Sequence, residues 1–141
     1  GFYLPLDVTA EMIAVLARAA LARDGEPLPI LPTGAVRASV VDRLELDDGR
    51  TVRLVELNGL QFEPTPVWLD EDGQLFALAN GWLTVVEQGS EAVAAELVAR
   101  QDARRAARFE DMAARLREPP RDSLLIDNAR IWDVRAGRVR T

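Results

Sequence analysis

The sequence predicts an α+β fold: an antiparallel β-meander with a helix before it, a long helix after it and a further short strand pair at the end. Three observations carry this. Apolar residues recur at helical spacing over residues 8–23, they alternate in short runs between turn signals over 36–86, and residues 91–117 contain no helix breaker.

The first helix is marked by Asp7 or Thr9 as N-cap, by Met12, Ile13, Leu16, Ala19 and Ala20 along one side, and by Gly25 just past its end. Pro27, Pro29 and Pro32 exclude helix from the next segment, so Leu28–Leu31 is expected as an extended connector at an edge. From Val36 the residues alternate, with Val36, Ala38 and Val40 facing one way and Arg37, Ser39 and Val41 the other, continuing through Leu44 and Leu46. Asp47-Asp48-Gly49-Arg50 turns this strand back into Thr51–Leu57.

Asn58-Gly59 marks the next reversal, and Pro64 and Pro66 confine the following run, Val67-Trp68-Leu69, to an edge or a strand start. Asp70-Glu71-Asp72-Gly73 turns it into Leu75–Leu78, and Asn80-Gly81 precedes a last strand over Trp82–Val86. Ser90 then stands as cap of a helix about 40 Å long at 1.5 Å per residue. Its apolar stripe has Val93, Leu97 and Val98 near one end and Phe109, Met112 and Leu116 near the other. Between them, Gln101 to Arg108 is nearly all charge and Ala, which predicts docking at both ends and a wetter middle. Glu96 with Arg100 and Asp111 with Arg115 have the spacing of surface ion pairs. After Pro119-Pro120 come Leu124-Leu125-Ile126, Ile131-Trp132, a turn at Ala136-Gly137 and Arg138-Val139-Arg140, the pattern of an unfinished sheet.

Composition excludes much chemistry. The chain has 141 residues and a net charge of −6, with no His and no Cys, and all 17 of its positive charges are Arg. Without imidazole, thiol or amine there is no usual general base near neutral pH, no nitrogen or sulfur ligand for zinc and no Schiff-base lysine. The acidic balance argues against a nucleic-acid partner, and no apolar run approaches the roughly 20 residues that span a bilayer. The charge is uneven: residues 1–99 hold 16 acids and 6 Arg, residues 100–141 hold 7 acids and 11 Arg. Such halves attract each other or a neighbouring domain, or hold an anionic ligand.

Candidate sites are few. Asp70-Glu71-Asp72-Gly73 opens like a calcium loop but has Gly81 where the twelfth-position Glu belongs, so it reads as a hairpin turn. Ser39, Ser90 and Ser123 have no His to activate them. Arg100, Arg104, Arg105 and Arg108 form a solvated or interdomain face, with phosphate as the alternative ligand. Trp68, Phe76 and Trp82 in the meander either fill the core or line an apolar pocket.

The run Ser123-Leu124-Leu125-Ile126-Asp127-Asn128-Ala129-Arg130-Ile131-Trp132-Asp133 resembles the opening of the small β-sandwich that precedes the metal-binding barrel in the amidohydrolase superfamily. Phe2-Tyr3-Leu4-Pro5, Leu28-Pro29-Ile30-Leu31-Pro32, Pro64-Thr65-Pro66-Val67-Trp68-Leu69-Asp70, Asp72-Gly73 and the helix around Gln101 resemble an N-terminal extension of some bacterial members. The resemblance implies an accessory α+β domain over 1–118, a linker over 119–122 and the first sandwich strands over 123–141, with further strands on either side. It also implies export behind a signal that is absent from this stretch.

By the same resemblance, the parent is a metal-dependent hydrolase of C–N or similar bonds whose divalent metal, zinc above all, sits in the barrel. No metal, cofactor or catalytic residue of that family falls on this chain. Its partners would be the barrel domain or, in a homo-oligomer, a second copy. Two other classes stay open from the residues themselves: a stand-alone binding module for an apolar or lipid-like ligand near Trp68 and Trp82, and a hydrolase that uses two carboxylates.

Overall fold

The computed structural model describes residues 1–80, 82–118, 123 and 125–140. It forms two compact units, Gly1–Ala106 and Ala107–Thr141. The boundary falls inside the long helix, and the expected linker 119–122 lies outside the described residues, as do Gly81 and Leu124.

The first unit is built on a seven-stranded sheet whose strands neighbour one another in chain order. They are β1 (Phe2–Tyr3), β2 (Leu28–Leu31), β3 (Ala35–Glu45), β4 (Thr51–Asn58), β5 (Thr65–Leu69), β6 (Leu75–Ala79) and β7 (Thr84–Val86). All pairs are antiparallel except β1 with β2. The expected connector is thus a strand in its own right, one place in from the edge. Pro29 fits because β1 covers only Ile30 and Leu31 on the outer side.

Helix α1 (Ala10–Leu21) starts where expected, with the Thr9 hydroxyl accepting the Met12 N–H at 3.3 Å. Asp24 and Gly25, both at positive φ, follow its end. It buries Ile13, Ala14, Leu16, Ala17 and Ala20, a stripe rotated slightly from the one read off the sequence. These residues form one core with Val36, Ala38, Val55, Leu57, Val67 and Leu69. At roughly 1.5–3 kcal/mol for each large aliphatic side chain, this burial outweighs the propensity of a 12-residue helix.

A second core gathers Leu44, Val52, Leu54, Trp68, Phe76, Ala77 and Leu97. Alternation along β4 places Val52 and Leu54 in it and Val55 and Leu57 in the first, so the two cores occupy opposite faces of the sheet. Strand β3 reaches both faces with even-numbered residues. Its register against β4 shifts between Val40, opposite Val55, and Asp42, opposite Leu54. This bulge inserts one residue and turns Leu44 away from the face that holds Val36 and Ala38. Simple alternation predicts a single pattern through to Leu46, and the inserted residue is what breaks it.

Helix α2 (Ala94–Leu116) follows a single 3-10 turn, Glu91–Val93. Ser90 stands at the cap position, but its hydroxyl makes no capping bond and lies 3.5 Å from both Arg50 Nη2 and Glu87 Oε2. In the second unit, β8 (Ile131–Asp133) and β9 (Arg138–Arg140) form an antiparallel hairpin with Trp132 opposite Val139.

Candidate functional site

The three aromatic residues read as pocket candidates, Trp68, Phe76 and Trp82, do not converge. Trp68 and Phe76 are fully buried in the second core, whereas Trp82 is 98% exposed. The cause is local. The Asn80 side chain accepts the N–H groups of Trp82 and Leu83, both at 2.8 Å, so the segment turns there and β7 begins only at Thr84. Above Phe76 lies the Arg50 guanidinium, 5.8 Å from the ring centre, held by Asp48 at 2.7 Å and Glu87 at 2.6 Å. Those two hydrogen bonds, first to Glu87 and then to Asp48, raise the Arg50 pKa further above its already high value.

Helix α2 meets the sheet through polar contacts where the sequence predicted a wet middle. Leu97 is its one buried residue, and beyond it Gln101 bridges two groups of the sheet. Its Oε1 accepts the Trp68 indole N–H at 2.8 Å, and its Nε2 donates to the Ala79 carbonyl at 2.8 Å. Arg100 pairs with Asp42 at 3.2 Å, Arg104 with Glu56 at 3.4 Å and Arg105 with Glu63 at 2.8 Å. Three of the four arginines expected on a solvated or interdomain face, Arg100, Arg104 and Arg105, thus meet carboxylates of the first unit. Glu96–Arg100 and Asp111–Arg115 form as spaced.

A cleft of about 270 Å³ opens beside the β3–β4 ladder, lined by Arg43, Thr51, Arg53 and Glu71. Arg43 and Arg53 stand directly opposite each other. Arg53 Nη2 donates to the carbonyls of Asp70 at 2.9 Å and Glu71 at 3.2 Å, while its buried Nε has no acceptor. Sequence reading missed this site, because the pairing of Arg43 with Arg53 depends on the bulge.

The acidic run Asp70-Glu71-Asp72-Gly73 is the hairpin turn that the sequence predicts, joining β5 to β6. The Asp70 carbonyl accepts the Gly73 N–H at 3.1 Å, and its carboxylate accepts the Gln74 N–H at 2.7 Å.

In the second unit the hairpin leaves Ile131 and Trp132 each 63% exposed and Val134 81% exposed, and Leu125 is 87% exposed. Phe109 and Leu116, expected to pack at the end of α2, are exposed as well.

Among the described residues, no three His, Cys, Asp or Glu side chains come together as a group that could hold a metal ion. No helix among them is long and apolar enough to cross a membrane. Comparison with protein-family models, curated proteins and solved structures finds no match to this chain.

Proposed function

We propose that this chain is a non-catalytic part of a larger amidohydrolase-like, metal-dependent hydrolase, whose residues 1–118 pack against or gate the barrel and whose hairpin β8–β9 begins the β-sandwich. The observation that carries this reading is the exposed apolar hairpin. A lone two-stranded pair is marginal in water, and one that presents Ile131, Trp132 and Val134 to solvent gains stability only when another layer covers it. The side-chain inventory supports the same reading, since a chain with no His, Lys or Cys leaves the metal chemistry to residues elsewhere in the polypeptide.

The test is the source polypeptide itself, by intact mass and by its coding sequence. The expected result is a longer product in which a His-x-His motif follows within roughly 50 residues of Thr141, as the order of sandwich and barrel requires. A natural product that ends at Thr141, or a continuation without that motif, removes the proposal.

A further inference from the structure

We infer that the cleft between β3 and β4 binds a small oxyanion, a carboxylate or phosphate group, held by Arg43, Arg53 and Thr51. Charge distribution is the first argument. On a chain of net charge −6, Arg50, Arg100, Arg104, Arg105 and Arg115 all pair with carboxylates. Arg43 and Arg53, which face each other in the cleft, have no carboxylate in salt-bridge range among the described residues. Like charges directly opposite on neighbouring strands destabilise a sheet unless something between them is negative.

The second argument is geometric. The Arg18 stem from α1 and the Arg53 guanidinium both lie over Gly73: a β-carbon there would stand 2.9 Å from Arg18 Cδ and 3.9 Å from Arg53 Nη2. Arg53 is held by the two main-chain carbonyls of the β5–β6 turn, which fixes its planar fork and leaves its other N–H donors unmet, the buried Nε included. A fixed guanidinium with spare donors, a second one facing it and a hydroxyl two residues along the same strand make the donor set that a planar or tetrahedral oxyanion accepts. Two carboxylates stand nearby, Glu71 on the cleft wall and Glu45 opposite Thr51. They oppose a highly charged ligand and confine the site to a single small anionic group.

The experiment is a titration of the isotope-labelled protein with sodium phosphate and, separately, with sodium acetate, at ionic strength held constant by sodium chloride. The resonances followed are the guanidinium Nε–H groups and the Thr51 amide. The expected result is a saturable shift at Arg53, Arg43 and Thr51 with one or both anions, the two arms showing which is preferred, and no such shift with chloride alone. Arg43→Gln, an exposed position, is expected to weaken binding roughly tenfold, the loss of one charge-assisted hydrogen bond. Glu71→Gln is expected to tighten it about two- to threefold by removing a like charge in water. Shifts that grow without saturation and match those of chloride overturn the inference, as does an Arg43→Gln protein that binds like the parent.

Discussion

The indole N–H of Trp68 donates to Oε1 of Gln101 at 2.8 Å, and this bond joins the middle of the sheet to α2 across 33 residues of sequence. Trp68 is fully buried, so its N–H has no access to water. The same amide satisfies the Ala79 carbonyl through Nε2. One side chain on an otherwise charged stretch of helix thus completes the hydrogen bonding of the second core.

Gln101→Ala is therefore expected to cost about 2–3 kcal/mol, because it leaves a buried donor and a buried acceptor unmet. Urea unfolding measures the loss. In a Trp68→Phe background the same substitution should cost at least about 1 kcal/mol less, since the orphaned indole donor is gone. Equal costs in both backgrounds would show that the bond contributes nothing.

Leu97 fixes the helix by packing, being fully buried among Leu54, Trp68 and Phe76. Leu97→Ala should destabilise by about 2–5 kcal/mol, whereas Leu116→Ala, at a side chain 72% exposed, should change stability by under about 0.5 kcal/mol. Comparable midpoints for the two variants would contradict the seating of α2 through its first turns. The ion pairs of Arg104 and Arg105 are partly exposed, and each is expected to contribute under about 1 kcal/mol, less in high salt.

Gly59 has φ +109, and a β-carbon there would strike the carbonyl oxygen of Ala35 on the neighbouring strand. Gly49 has φ +85 with open space around it. Gly49→Ala should cost about 1–2 kcal/mol from backbone conformation alone, and Gly59→Ala clearly more, because β3 and β4 must separate there. Thermal unfolding of the two variants ranks them, and the reverse order would disprove the close approach.

The three tryptophans should separate under a neutral collisional quencher. Trp82 and Trp132, 98% and 63% exposed, are expected to be quenched in the native protein, and Trp68 only after unfolding. Single-tryptophan variants read this directly. An accessible Trp68 would revive the apolar pocket that the sequence allowed.

Asp48 accepts the Arg50 backbone N–H at 3.0 Å and the Arg50 Nε–H at 2.7 Å, which together hold its carboxyl below the ordinary aspartate range. A depressed folded-state pKa stabilises the fold above the unfolded value, and that contribution fades as pH falls through the folded one. The stability difference between the parent protein and Asp48→Asn should accordingly be present near neutral pH and shrink below about pH 4. A difference that stays constant down to strong acid would remove the assignment.

The sequence alone determined the α+β class, the order of helix, meander and long helix, a first helix capped at Asp7 or Thr9 and the acidic turns, because each rests on residues within a few positions of one another. It also determined the absence of imidazole, amine and thiol chemistry, which is a matter of inventory. Only the tertiary structure decided the face reached by each half of β3, since a bulge between Val40 and Asp42 leaves the residue types unchanged while reversing their direction. It likewise decided that Trp68 is core and Trp82 is surface, and that Arg100, Arg104 and Arg105 meet Asp42, Glu56 and Glu63. Partners such as Arg100 and Asp42, 58 residues apart, are brought together by strand register and helix docking, and local periodicity carries no signal of either.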